Sequence, residues 1–92
     1  MRLRYTARAA QQIDAALAFV AERSPRGARN IRIRLQTVLA LLQERPLAGR
    51  RTSVPSVRRI SVSPYPYLVD YRANGVEIVI LRFRHAAHSP IG

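Results

Sequence analysis

Apolar and polar residues alternate at the start of the chain, with Leu3 and Tyr5 on one side of residues 2–6 and Arg2 and Arg4 on the other. A period of two over so short a stretch marks a half-buried strand. Thr6 offers an N-cap hydroxyl, and Ala9, Ile13, Ala16, Leu17 and Val20 follow at helical spacing, which predicts an amphipathic helix starting near Ala7. Ser24-Pro25 closes that helix and opens the next, because serine caps and a first-turn proline lacks only an N–H that has no partner there. Ala28, Ile31, Leu35, Val38, Leu39 and Leu42 carry the clearest period in the chain, which fades at Glu44-Arg45-Pro46, where proline cannot continue a helix. A connection this short makes an antiparallel helical hairpin. Phe19 and Ile33 lie off its core stripe; packing at the helix seam is their ordinary role, contact with a partner the other.

Residues 46–56, with Pro46, Gly49, Pro55 and the pair Arg50-Arg51, read as a loop. Three strands follow, Val57–Val62, Tyr67–Arg72 and Val76–Arg84, the last rich in β-branched residues. Asn74-Gly75 is a strong hairpin signal, since a type I′ turn needs positive φ at both central positions. A two-residue loop there sets Arg72 opposite Glu77, a sensible charge pair. Tyr67, Val69 and Tyr71 then share a face with Ile78, Ile80 and Arg82. Leu68, Asp70 and Arg72 share the other with Glu77, Val79, Leu81, Phe83 and His85. The helices are expected on the tyrosine face, because the other carries charge. That leaves an open strip of Val79, Leu81 and Phe83 ending at His85, and an exposed apolar strip points to a partner.

Composition narrows the picture. At 92 residues the chain is long enough for one domain, spanning 1–92, and not for two. Sixteen cationic residues against five acidic ones give a net charge of +11, and every cation is an arginine. Such a surplus repels itself within a small fold and favours a polyanionic partner: nucleic acid, ribosome or acidic polypeptide. No apolar run approaches the roughly 20 residues that cross a bilayer, and Met1–Tyr5 lacks the apolar stretch of a signal peptide. No membrane association is expected. The absence of cysteine removes disulfides and thiolate metal sites and suits the cytoplasm.

The order strand, helix, helix and three antiparallel strands resembles the RelE/ParE toxins of type II toxin–antitoxin systems, ParE-like members above all. The resemblance spans nearly the whole chain. It is sharpest in Tyr5-Thr6-Ala7-Arg8-Ala9, in Arg45-Pro46-Leu47-Ala48-Gly49-Arg50, in Val57-Arg58-Arg59-Ile60 before Tyr65–Arg72, and in Ile80-Leu81-Arg82-Phe83-Arg84-His85-Ala86-Ala87. It implies an α+β fold, β-α-α-β-β-β, with the helical hairpin on one face of a mainly antiparallel four-stranded sheet. It also implies a cognate antitoxin that wraps the toxin with an acidic, partly disordered C-terminal segment, operator DNA being reached only through that antitoxin. RelE-like members cut mRNA on the ribosome; ParE-like members inhibit DNA gyrase.

The two activities need different chemistry. Cleavage at a 2′-hydroxyl needs a base, cations on the phosphate and an acid for the leaving oxygen. The candidates for it are His85, His88 and arginines 50, 51, 58, 59, 82 and 84, with Arg59 and Arg82 placed to cradle phosphate; arginine is a poor base at neutral pH, and the lysine-rich RelE set has no counterpart in a chain without lysine. The ordinary reading of His85 is a strand-end histidine bonded to a loop, and of His88 an exposed tail residue. For a protein that acts by binding its target or antitoxin, the candidates are Arg50, Arg51, Arg58, Arg84, Val79, Leu81, Phe83, Phe19 and Ile33. A basic nucleic-acid-binding module without toxicity is the reading from another class. No cofactor and no metal is implied, since no carboxylate or cysteine completes a site with His85 and His88.

Overall fold

The computed structural model of the protein describes residues 1–88, with the side chain of His88 outside the described set, so the expectation of an idle His88 lies beyond it. Its elements run β1 (Arg2–Tyr5), α1 (Ala7–Arg23), α2 (Pro25–Glu44), β2 (Arg50–Arg51), β3 (Val57–Ser61), β4 (Tyr67–Ala73) and β5 (Glu77–His85), then a short 3₁₀ turn at Ala86–His88. The strands form one sheet in the order β1-β5-β4-β3-β2. Only β1 and β5 pair in parallel, because the helical hairpin carries the chain back before the antiparallel strands begin. β5, apolar on both faces, is flanked by β1 and β4.

Local chemistry sets the helix ends. The Thr6 hydroxyl accepts from Ala9 N–H at 3.0 Å, and the Ser24 hydroxyl accepts from Gly27 N–H at 2.9 Å. Ser24 also donates its own N–H to Val20, so a single residue ends α1 and starts α2. The stripes meet as the spacing predicts: Ile13, Leu17, Ile31, Leu35, Leu39 and Leu42 pack with Val69, Tyr71, Ile78, Ile80 and Phe83 in one core. Phe19 and Ile33 do not join the seam between the helices. Both remain exposed, with the Arg23 guanidinium 5.2 Å above the Phe19 ring.

The sheet departs from expectation in three ways. It has five strands rather than four, because Arg50 and Arg51, expected in a loop, pair antiparallel with Arg59 and Arg58. The hairpin turn is displaced by one residue. The Asn74 side chain accepts from Val76 N–H at 2.7 Å and Glu77 N–H at 2.8 Å, the asparagine side chain standing in for backbone as it commonly does in turns. Arg72 therefore faces Val79, not Glu77, and Glu77 instead meets Arg4, its carboxylate 2.9 Å from the guanidinium.

The third difference is a bulge. Tyr71 pairs with Ile80 but Asp70 pairs with Arg82, which leaves Leu81 as an extra residue in β5. One inserted residue reverses every side chain beyond it. Phe83, expected on the open strip, is buried beneath the helices at 2% exposure and stacks on Tyr67 with ring centres 5.0 Å apart. Arg82, expected on the tyrosine face, moves to the open one. Continuing the register unbroken would have buried an arginine in an apolar core and exposed a phenylalanine, and an unpaired buried charge is by far the larger cost. The turn into α1 supports the bulge: Thr6 donates its hydroxyl to Leu81 O at 3.3 Å, and Phe83 N–H donates to the Gln12 side chain at 2.9 Å.

Candidate functional site

The face of the sheet away from the helices carries the charge. Arg59 on β3, Asp70 on β4 and Arg82 and Arg84 on β5 gather there because Arg59 faces Asp70 across one ladder and Asp70 faces Arg82 across the next. Arg59 Nε donates to Asp70 Oδ1 at 2.7 Å and Nη2 to Oδ2 at 3.5 Å. Arg84 Nη2 stands 3.7 Å from the same Oδ2, an ion pair too long to be a hydrogen bond. Two guanidinium groups thus share one carboxylate, and a third, that of Arg82, stands opposite it in the ladder.

These groups are not on an open surface. The side chains of Asp70, Arg84 and Arg59 are 6%, 9% and 20% exposed. Around them lies a recess of about 340 Å³ walled by Thr52, Ser53, Val54, Val57, Leu81 and the charged cluster. Among the described residues, Arg82 Nε and all three nitrogens of the Arg84 guanidinium are buried without a hydrogen-bond acceptor. Burial lowers the Arg84 pKa; Asp70 opposes that, and Arg59 and Arg82 add to it. An arginine stays charged regardless, so the recess holds cations short of acceptors.

The other candidates fall into separate places. His85 is on the helix side of β5, its ring edge-on to Tyr67 at 5.4 Å and its Nδ1 accepting from Ala87 N–H at 3.0 Å. The expectation that it ends the open strip is therefore corrected, for the same reason as Phe83. Arg58 faces the helix side opposite Tyr71 and donates to Gly49 O at 2.8 Å; it holds the loop before β2. Arg50 and Arg51 stand exposed on β2 at the sheet edge. Val79 and Leu81 are half-buried on the open side. No three His, Cys, Asp or Glu side chains among the described residues gather to hold a metal ion, and no helix among them is long and apolar enough to cross a membrane.

Two residues matter more than their sequence suggested. Asp70, read only as a mark of the solvent face, is the buried acid that organises the cluster; an acidic residue in a strand flanked by arginine-bearing strands was the available signal. Tyr71, expected on the helix-covered face, also accepts from Gly49 N–H at 2.8 Å and donates to Pro46 O at 2.7 Å, which ties down the loop that positions β2. Burial raises its pKa, while the Gly49 hydrogen bond and the charge of Arg58 work the other way.

Known proteins share this architecture. A family described as "ParE toxin of type II toxin-antitoxin system, parDE" matches residues 3–90. A protein of Sinorhizobium fredii that bears the name toxin Y4kP is 31% identical over 85 residues, 91% of this chain and 88% of its own. Among solved structures, a chain of the chromosomal ParDE toxin–antitoxin system of P. aeruginosa superposes with a TM-score of 0.82 at 30% identity, covering 92% of this chain and 95% of its own. A chain of the DinJ–YafQ complex of E. coli gives 0.62 at 14% identity over 95% and 96% of the two chains, which is a likeness of fold. A family match over nearly the whole length, joined to these relatives, places the protein: the chain belongs to the ParE toxin family of type II toxin–antitoxin systems.

Proposed function

We propose that this toxin arrests growth by binding DNA gyrase rather than by cutting RNA, and that an antitoxin with an acidic, partly disordered C-terminal segment neutralises it. The observation that carries this reading is the placement of His85. The imidazole lies on the helix side of β5 against Tyr67, whereas Arg59, Arg82 and Arg84 lie on the opposite face. A base and the cations meant to hold its phosphate must converge within hydrogen-bond reach of one substrate. Here a sheet stands between them. The open face offers binding chemistry, with guanidinium groups and apolar walls, and its carboxylates Asp70 and Glu77 are each engaged by an arginine, Arg59 and Arg4. A net charge of +11 supports an acidic neutralising partner.

Induction of His85→Ala in cells, with mRNA ends mapped by primer extension, and a supercoiling assay with purified gyrase test the reading together. The expected result is arrest by both wild type and variant, inhibited supercoiling and unbroken mRNA. Arrest lost in His85→Ala, with ribosome-dependent cuts in the wild type, would overturn it.

A further inference from the structure

The recess on the open face is built around a cation with too few acceptors. Arg84 enters it with nine-tenths of its side chain buried and none of its three nitrogens hydrogen-bonded among the described residues. The nearest carboxylate, Asp70, accepts its short hydrogen bond from Arg59 instead. With Arg82 also lining the recess, the cluster holds three positive charges and one negative. Burying guanidinium N–H groups without acceptors is costly, and a fold that needed only structural pairing would be better served by an apolar residue at position 84.

We propose that this recess is a receptor for a single carboxylate side chain, aspartate or glutamate, carried by an acidic peptide segment, with Arg84 as its deep anchor. The assignment rests on the reading that an acidic polypeptide is the partner, and it names where and by what group that partner is held. A carboxylate suits the fork of a guanidinium and accepts two parallel hydrogen bonds, and it would supply the acceptors that Arg84 and Arg82 Nε lack. The walls fit the rest of such a residue: Val54, Val57 and Leu81 can cover the methylene stem of a glutamate or an apolar neighbour in the peptide.

Nucleic acid fits the same charge less well. Single strands are held on aromatic platforms where successive bases stack, yet Tyr67, Tyr71 and Phe83 all lie on the helix side of the sheet. By its register, the open face carries no aromatic ring among the described residues. A phosphate chain is also bound by cations strung along a groove, whereas here the deepest cation sits inside a walled recess.

Asp70 acts in this scheme as an internal competitor. It lends the cluster one negative charge and keeps Arg84 within ion-pair distance, so removing its charge should strengthen the pull on an incoming carboxylate. A purely structural Asp70 would make the opposite prediction.

The test uses the purified chain at physiological ionic strength, where diffuse surface attraction is screened. Hexaglutamate, hexauridylate and inorganic phosphate are titrated in turn, with the side-chain Nε–H signals of Arg59, Arg82 and Arg84 followed by NMR. Hexaglutamate should shift Arg84 and Arg82 together. Arg84→Gln and Arg84→Met should each weaken it about ten- to a hundredfold, the range for losing hydrogen bonds to a charged group. Arg8→Gln, an exposed helix residue, should change it less than about twofold, as expected for a screened surface charge. Asp70→Asn should tighten it severalfold. Equal affinity in the Arg84 variants and in Arg8→Gln would overturn the pocket, as would Arg84 responding to hexauridylate or phosphate and not to hexaglutamate. If one Arg84 variant fails to fold, the other and the gain in Asp70→Asn decide. Gyrase inhibition is scored separately on the wild-type chain, so a failed pocket and a failed target are told apart.

Discussion

The hydroxyl of Tyr71 accepts a hydrogen bond from the backbone N–H of Gly49 at 2.8 Å while donating to Pro46 O at 2.7 Å. A core tyrosine in β4 therefore fastens the loop that turns from α2 into β2. The approach is so close that a Cβ on residue 49 would stand 2.6 Å from the tyrosine ring and 2.9 Å from the Arg59 carbonyl. Gly49 is required by space here. Tyr71→Phe leaves the ring in place but orphans a buried N–H, which should cost about 1–3 kcal/mol. Gly49→Ala should cost a similar amount by overpacking, about 1–3 kcal/mol, since the Arg59 carbonyl is backbone and cannot rotate away. Urea unfolding of both variants measures this. A Tyr71→Phe midpoint equal to wild type would show that the hydroxyl contributes nothing.

The bulge at Leu81 can be read from stability alone. Phe83→Ala should cost about 3–5 kcal/mol, as for an aromatic side chain removed from a packed core, whereas Val79→Ala on the half-buried open side should cost about 1 kcal/mol or less. A sheet that kept its register through β5 would put Phe83 outside, and its truncation would then be nearly as mild as that of Val79. Thermal or urea melts of the two variants separate these outcomes.

How far the chain could be read follows from where its information is local. The helices were legible because Ile13, Leu17, Leu35, Leu39 and their neighbours repeat at one period and the caps at Thr6 and Ser24 are near in sequence. The tyrosine face of β4 was legible because Asp70 and Arg72 mark the opposite face. The far half of β5 was not. Nothing within the run from Ile78 to His85 signals the inserted residue; Thr6 and Gln12, more than sixty residues away, supply the hydrogen bonds that accommodate it. The same insertion hid the site, since it alone moves Arg82 and Arg84 to one side and His85 to the other. β2 escaped notice because two residues carry no period.

Two caps of one type should differ in worth. The Ser24 hydroxyl accepts from Gly27 N–H in an exposed setting, so Ser24→Ala should cost about 1 kcal/mol, the usual value for a lost N-cap. Thr6 caps α1 in the same manner but also donates to the Leu81 carbonyl at the bulge, in a half-buried setting. Thr6→Ala should therefore cost about 1–2 kcal/mol, and Thr6→Ser, which keeps the hydroxyl, should recover most of it. Equal losses in Ser24→Ala and Thr6→Ala would mean that the second hydrogen bond carries no weight.

Arg4 and Glu77 join β1 to β5 in the parallel ladder, the guanidinium Nε lying 3.2 Å and 3.3 Å from the two carboxylate oxygens and Nη2 2.9 Å from one of them. The hydrogen bonds from Arg4 hold Glu77 below its ordinary 4.5; desolvation opposes them, and the charges of Arg4 and Arg2 add lesser pulls in the same direction as the hydrogen bonds. A carboxyl whose pKa is lower folded than unfolded binds fewer protons in the native state, so stability rises with pH where the two forms differ. The contribution of this pair should thus be present above the ordinary carboxylate range and fade as pH falls through the depressed value. Because both groups are solvated, added salt should erode it. Following the Glu77 side-chain carbon by NMR, Arg4→Gln should move the midpoint up toward 4.5, with Arg2 retaining part of the depression. A midpoint that does not move on losing Arg4 would assign the shift to Arg2 and the strand ends instead.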